Sequence, residues 1–353
     1  MLNTSHILVV NPGSTSTKIA VFNREARIES ETFEHSPHQL QEYPAIWDQF
    51  TFRLELCRTW AADRLNQCDA VAARGGLLRP LPGGVYRVNG PMLNDARNNC
   101  QGEHASNLGC VLAAELAAVH GCEAFVVDPV SVDEFSPLAF YSGHPAIRRK
   151  SLSHALSLHA AARRAAAELG LSPDRAAFVI AHIGGGISVA PVLNGRIIDA
   201  NDAASDGPFS PERSGGLPLQ PLVSLCYSRP EREIRSMVMG KGGLTAYLGT
   251  NSVKDIERRI EGGDRTAEEV FEAMAYQISK EIGAMAAVLH GRVHAVILTG
   301  GCANSRRLMA WIEERVRFIA PVLVYPGDDE MQMLASAVGR ALCGEERVHE
   351  YGE

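Results

Sequence analysis

Three stretches of the chain repeat one pattern: an apolar, β-branched run that leads straight into small polar residues. In the first, Ile7-Leu8-Val9-Val10 precedes Asn11-Pro12-Gly13-Ser14-Thr15-Ser16-Thr17, and Lys18-Ile19-Ala20-Val21-Phe22 resumes the apolar run. In the second, Phe178-Val179-Ile180-Ala181 leads into His182-Ile183-Gly184-Gly185-Gly186 and then Ile187-Ser188-Val189-Ala190. In the third, Ala295-Val296-Ile297-Leu298 leads into Thr299-Gly300-Gly301-Cys302-Ala303-Asn304-Ser305. Strand-length runs broken by Gly, Ser and Asn predict a hairpin for each of the first two, and strand, turn and helix for the third. Helical periodicity marks 105–119, 145–169, 266–289 and a closing helix over 329–342. The third of these carries apolar residues at 271, 274, 278, 282, 285 and 289, and Thr266 with Glu269 predicts a capping box at its start.

One hairpin opens each half of the chain, which predicts an internal duplication. The expected architecture is α/β with two lobes: 1–148, closed by the C-terminal segment 329–353, and 149–328. The hinge is expected at 144–150, where Gly143-His144-Pro145 interrupts the helical pattern. A length of 353 residues agrees with two domains, at roughly 150 residues each.

Composition narrows the class. Lys and Arg total 34 against 41 Asp and Glu, a net charge of −7, which argues against a nucleic-acid partner. No apolar run nears the ~20 residues of a membrane span, and the N-terminus lacks a basic-then-apolar leader. None of the eight cysteines forms a CxxC pair, so they read as reduced thiols. A cytoplasmic enzyme is the expectation.

The chemistry sits in the turns. Alternation places Ser14, Ser16 and Lys18 on one face of the first hairpin, where they can converge on an anion. The other reading is a Ser/Thr-rich tight turn. Asn11 offers a neutral oxygen suited to a metal-bound water. Gly184, Gly185 and Gly186 let backbone amides approach a ligand without an intervening Cβ; His182 beside them, taken alone, reads more readily as a structural histidine. Gly300 and Gly301 read as a corner for adenosine. Neither GxxxxGK[ST] nor GxGxxG after a strand occurs, so a nucleotide would not lie on a P-loop.

Eight ordered segments carry a resemblance that spans the chain. They include Asn11–Lys18 (NPGSTSTK), Arg74–Asn89 (RGGLLRPLPGGVYRVN), Gly102–Gly109 (GEHASNLG) and Val127–Phe135 (VDPVSVDEF). Further on come Ser142–Leu156, His182–Ser188 (HIGGGIS), Gly207–Pro218 (GPFSPERSGGLP) and Gly242–Asn251 (GGLTAYLGTN). Together they resemble the acetokinase family, in the superfamily of acetate and sugar kinases, heat-shock protein 70 and actin. The resemblance implies a two-lobed actin-like ATPase fold of duplicated ribonuclease-H-like domains with the active site in the interdomain cleft. It implies ATP plus a short-chain carboxylate giving ADP plus an acyl phosphate, with Mg²⁺, in a homodimer or larger homo-oligomer. Within that resemblance the Arg74 segment and the compact length favour butanoate over acetate as acceptor; a branched acid such as isobutyrate, or acetate or propionate, is the alternative. A non-catalytic regulator of the same fold would be expected to lose its charged cleft residues, and this chain keeps them.

The resemblance also implies roles. Arg74 and His104 would bind the substrate carboxylate, and Arg213 would meet the travelling phosphoryl group. His154 would steady the transition state, and Asp128 would orient groups around it. Asn11 and Glu330 would hold Mg²⁺. Ser14, Ser16, Lys18, His182, Gly184, Gly185, Gly186, Gly300 and Gly301 would contact the nucleotide. One departure stands out: Ser252-Val253-Lys254 replaces the family's Asp-x-Arg, leaving Lys254 with the charge but without the bidentate fork.

Overall fold

The structure, a computed structural model, describes residues 6–353 apart from positions 44, 63, 65–67 and 328. The chain forms two compact units, 1–133 with 329–353, and 134–328.

In the first unit β1 (His6–Pro12) and β2 (Ser16–Asn23) form the first hairpin, and β3 (Ala26–Glu34) extends it antiparallel. On its other side β1 pairs in parallel with β4 (Ala70–Arg74), and β4 with β6 (Glu123–Val127). β5 (Val85–Arg87) then pairs antiparallel with β6. Ile7, Leu8, Val9 and Val10 are all 0% exposed: β1 is covered on both faces, which is why it reads as an unbroken apolar run rather than an alternation. Helices Phe50–Ala62 and Asn107–His120 bury Leu54, Trp60, Leu108 and Leu112 against Leu8 and Val10. Helix Glu330–Leu342 packs on β1 as well, with Gly339 beside Ile7.

The second unit repeats the plan. β7 (Ala177–Ile183) and β8 (Ile187–Leu193) form the second hairpin, and β9 (Arg196–Ile197) extends it. β10 (Ala295–Gly300) pairs in parallel with β7, and β11 (Val322–Pro326) with β10. The orders β3-β2-β1-β4-β6 and β9-β8-β7-β10-β11 match strand for strand; β12 (Val348–Glu350) joins the outer edge of the first sheet beside β5. Helix Arg265–Val288 lays Phe271, Met274, Ile278 and Ile282 onto the second sheet.

Three local expectations are corrected. The helix expected over 145–169 starts only at Ala155; Pro145 and the polar run after it leave 144–154 without helix, and His154 is the N-cap with φ −79° and ψ 58°. The helix expected from Thr266 is capped by Asp264, whose carboxylate accepts from the Ala267 N–H at 3.0 Å. The units part at 133/134 and 328/329, so 134–148, and with it the expected hinge at 144–150, belongs to the second unit.

Two helical glycines test how tightly the parts are packed. A Cβ on Gly109 would stand 2.1 Å from the Arg74 carbonyl oxygen, whereas one on Gly283 meets nothing within 4 Å. Alanine in a helix is worth roughly 0.5–1 kcal/mol over glycine when it fits. Gly283→Ala should therefore raise the thermal midpoint. Gly109→Ala should lower it, at a cost of about 2 kcal/mol or more, because helix and strand must separate. Melting curves of the two variants, read side by side, check the opposite signs.

Candidate functional site

In the first unit, Asn11, Arg74 and Asp128 stand at the carboxyl ends of the neighbouring strands β1, β4 and β6, where α/β sheets carry their functional groups. Glu330 opens the closing helix, a position the helix dipole favours for an acid. Its two oxygens are separately engaged: Asn11 Nδ2 donates to Oε2 at 2.6 Å, and Arg74 Nη1 pairs with Oε1 at 2.7 Å. Residues expected to serve the metal and the carboxylate thus form one cluster. Asp128 is 2% exposed and sits at φ 38°, an unusual conformation for a residue with a side chain. It is clamped by Gly84, whose N–H donates to Oδ1 at 2.8 Å and whose carbonyl accepts from the Asp128 N–H at 3.1 Å. His104 is exposed beside the helix Asn107–His120; its Nδ1 accepts from the Ser106 N–H at 3.2 Å.

The first turn presents Ser14, Thr15 and Lys18 to solvent and turns Thr17 inward. Thr17 Oγ1 lies 2.8 Å from His35 Nε2 and accepts from Arg53 Nη1 at 2.9 Å. Burial, and then the Arg53 charge, press the His35 pKa down to about 4, so its ring is neutral at physiological pH.

In the second unit the turn proper is Gly184–Gly186, with His182 still in the strand. None of the three glycines has a positive φ; what they supply is room. A Cβ on Gly186 would lie 2.4 Å from Arg213 Nη1, one on Gly185 3.1 Å from Glu212 Oε1, and one on Gly184 3.2 Å from His182 Nε2. The Arg213 guanidinium therefore rests on the bare backbone of the turn, where Nη1 donates to the Ala203 carbonyl at 3.1 Å. Ser210 braces the loop by accepting from the Arg213 N–H and donating to the Gly185 carbonyl, at 3.1 and 2.5 Å. Burial lowers the Arg213 pKa, and Glu212 and Asp202 raise it in part. Its Nε is buried and has no hydrogen-bond partner among the described residues.

His154 and His182 come together by stacking, with centroids 4.2 Å apart at 26°. Ser188 Oγ holds His154 Nδ1 at 2.9 Å. Gly300, at φ +95°, exchanges backbone hydrogen bonds with Gly327 and lies so close to Ile183 that a Cβ would stand 2.5 Å from its carbonyl oxygen. Gly301 faces open space. Lys254 is exposed on helix Val253–Glu261 and makes no ion pair or hydrogen bond among the described residues.

No group of three or more His, Cys, Asp or Glu able to hold a metal occurs among the described residues. One carboxylate, Glu330, and one amide, Asn11, still fit Mg²⁺, which keeps most of its waters and leans on phosphate oxygens rather than on a protein cage.

Sequence reasoning missed Arg53, the Glu330–Arg74 pair and the histidine stack. Arg53 had a signal: it falls in helical phase with Cys57, Trp60 and Ala61, all buried, so an arginine occupies a core position. The other two join residues far apart in the chain and left none.

The description "Acetokinase family" matches residues 136–338. The chain is 47% identical over 352 residues to "Probable butyrate kinase" of Listeria innocua, covering 98% of this chain and 99% of that one. It is 46% identical over 351 residues to "Butyrate kinase 2" of Clostridium acetobutylicum, with the same coverage. Among solved structures, acetate kinase of Porphyromonas gingivalis superposes with a TM-score of 0.75 at 20% identity, over 95% of this chain and 99% of that one. That likeness establishes the two-lobed actin-like fold. The chain belongs to the acetokinase family.

Proposed function

We propose that the chain transfers the γ-phosphoryl group of ATP to the carboxylate of a short-chain fatty acid, butanoate above others, giving ADP and an acyl phosphate. The observation that carries this reading is Arg213: a half-buried guanidinium laid on a glycine turn, its Nε buried and lacking an acceptor among the described residues. An unmet buried donor costs about 1–3 kcal/mol, which an anionic ligand oxygen would recover. The names borne by the relatives support the acceptor.

A carboxylate is already ionised at neutral pH, so no base has to take a proton from it. An acid oxygen attacks the γ-phosphorus, the bond to the β–γ bridging oxygen breaks, and ADP leaves with the electron pair. Arg74 would aim the acid, exchanging Glu330 for the substrate carboxylate through its planar fork. Arg213 would bear on the equatorial oxygens as charge builds on them. His154, held by Ser188 and stacked on His182, would donate to the same group. Asp128, buried and clamped by Gly84, would orient its neighbours. Gly184, Gly185, Gly300 and Gly301 would receive the nucleotide, together with Ser14, Ser16 and Lys18. Asn11 and Glu330 would hold Mg²⁺, which would neutralise phosphate charge. The proposal places the reaction in the cytoplasm and in a homodimer or larger homo-oligomer. Helix Leu219–Ser228, with no buried side chain and with Leu219, Val223 and Tyr227 exposed, supports the assembly.

A hydroxamate assay across C2 to C6 acids with ATP and Mg²⁺ should show kcat/KM peaking at C4 or C5. One methylene is worth roughly 1–3 kcal/mol in an apolar pocket, so acetate turning over faster than butanoate would exclude this acceptor. In the same assay Arg74→Ala should chiefly raise the acid KM. Arg213→Ala should lower kcat by about 10³-fold with KM values little changed, as for removal of an arginine finger. Near-normal kcat with lost affinity would remove Arg213 from its role. For Lys254→Arg the expected outcome is a lower KM for ATP with an unchanged acid KM, since a guanidinium can make two parallel bonds to a nucleotide; an unchanged ATP KM would show the site needs no fork there.

A further inference from the structure

Behind the first turn lies an arginine that the reaction as proposed does not use. Arg53, on helix Phe50–Ala62, is 0% exposed. Its Nη1 donates to the carbonyls of Gly13 and Ser16 and to Thr17 Oγ1, each at 2.9 Å. Nη2 reaches the Ser14 carbonyl at 3.5 Å. Gln49 Oε1 holds the far side of the guanidinium, accepting from Nη2 at 2.8 Å and from Nε at 3.2 Å. Every acceptor is a neutral oxygen; no carboxylate pairs with Arg53 among the described residues. Burial lowers its pKa to about 10, which leaves it charged at neutral pH.

The geometry dictates what the turn can offer. A trans peptide points its carbonyl and the following N–H in opposite directions. With the Gly13 and Ser14 carbonyls drawn toward the guanidinium, the N–H groups of Ser14 and Thr15 point away from it. Both residues are exposed, and neither N–H is hydrogen-bonded among the described residues. Adjacent unmet N–H groups form an anion-binding concavity, and here a cation stands at its back. The planar fork reaches the three backbone carbonyls from two nitrogens held at a fixed spacing, while Nε and Nη2 bind Gln49; an ammonium, a point charge on a flexible stem, has no such fixed spacing.

We propose that Arg53 is a positioning residue for the nucleotide phosphates: it fixes the 13–17 turn with its donors outward and supplies positive charge that no acid among the described residues pairs with. The proposal rests on the reading of that turn as a phosphate site. The two can be tested apart by calorimetry, comparing ATP with adenosine in the presence of Mg²⁺; the ratio of their Kd values isolates what the phosphates contribute. Arg53→Lys should cut that ratio about tenfold or more, the effect of one charge-assisted hydrogen bond, and leave the adenosine Kd unchanged. Gln49→Met, which loosens the guanidinium without touching turn or charge, should act in the same direction but less. If Arg53→Lys does not melt cooperatively, Gln49→Met decides. A ratio within about twofold of the unsubstituted protein in the variant that folds, or equal loss of ATP and adenosine, overturns the proposal. If Ser16→Ala and Lys18→Ala leave the ratio intact, the phosphate assignment of the turn fails instead.

Discussion

A guanidinium removed from water must be given oxygen, and the organisation of the candidate residues in each unit follows from how three arginines meet that demand. Arg53 takes neutral oxygens, three of them backbone carbonyls of one turn. Arg74 takes an acid, Glu330, from a helix that returns from the far end of the chain. Arg213 takes one carbonyl and leaves Nε unmet. The three solutions differ in what they leave over for a ligand. Arg53 has its donors engaged and acts on a ligand only through the turn it orients and the charge it carries, Arg74 is held by a partner it can exchange, and Arg213 has a buried donor in reserve.

Glycine makes the second arrangement possible, and not through conformational freedom. None of Gly184, Gly185 and Gly186 has a positive φ; their value is the missing Cβ, which lets His182, Glu212 and Arg213 close onto the turn. Gly300 works the other way. Its φ of +95° and its contact with Ile183 both require glycine. Similar runs in the sequence thus serve different physical ends.

Much of the fold was legible because burial on both faces of a parallel sheet writes continuous apolar runs, and β1, β7 and β10 are such runs. The duplication followed from the two hairpins, and the matching strand orders bear it out. Local boundaries were less legible. The helix leading from Pro145 failed because periodicity in a polar segment says nothing about whether anything covers it, and 144–150 is largely exposed. Within the site, Arg74, Asp128, Arg213 and Glu330 stand out by their motifs. What the motifs could not convey is that Glu330 already occupies Arg74, or that His154 rests on His182, because those contacts form only once the sheets are assembled.

The account requires one direct, in-line passage of the phosphoryl group from ATP to the acid, with the protein's side chains positioning and neutralising rather than accepting it. The most direct measurement is the stereochemical course with ATP made chiral by oxygen isotopes at the γ-phosphorus. A single displacement predicts inversion of configuration in the acyl phosphate. Retention would mean an even number of transfers, and so a phosphorylated enzyme group that this account does not contain.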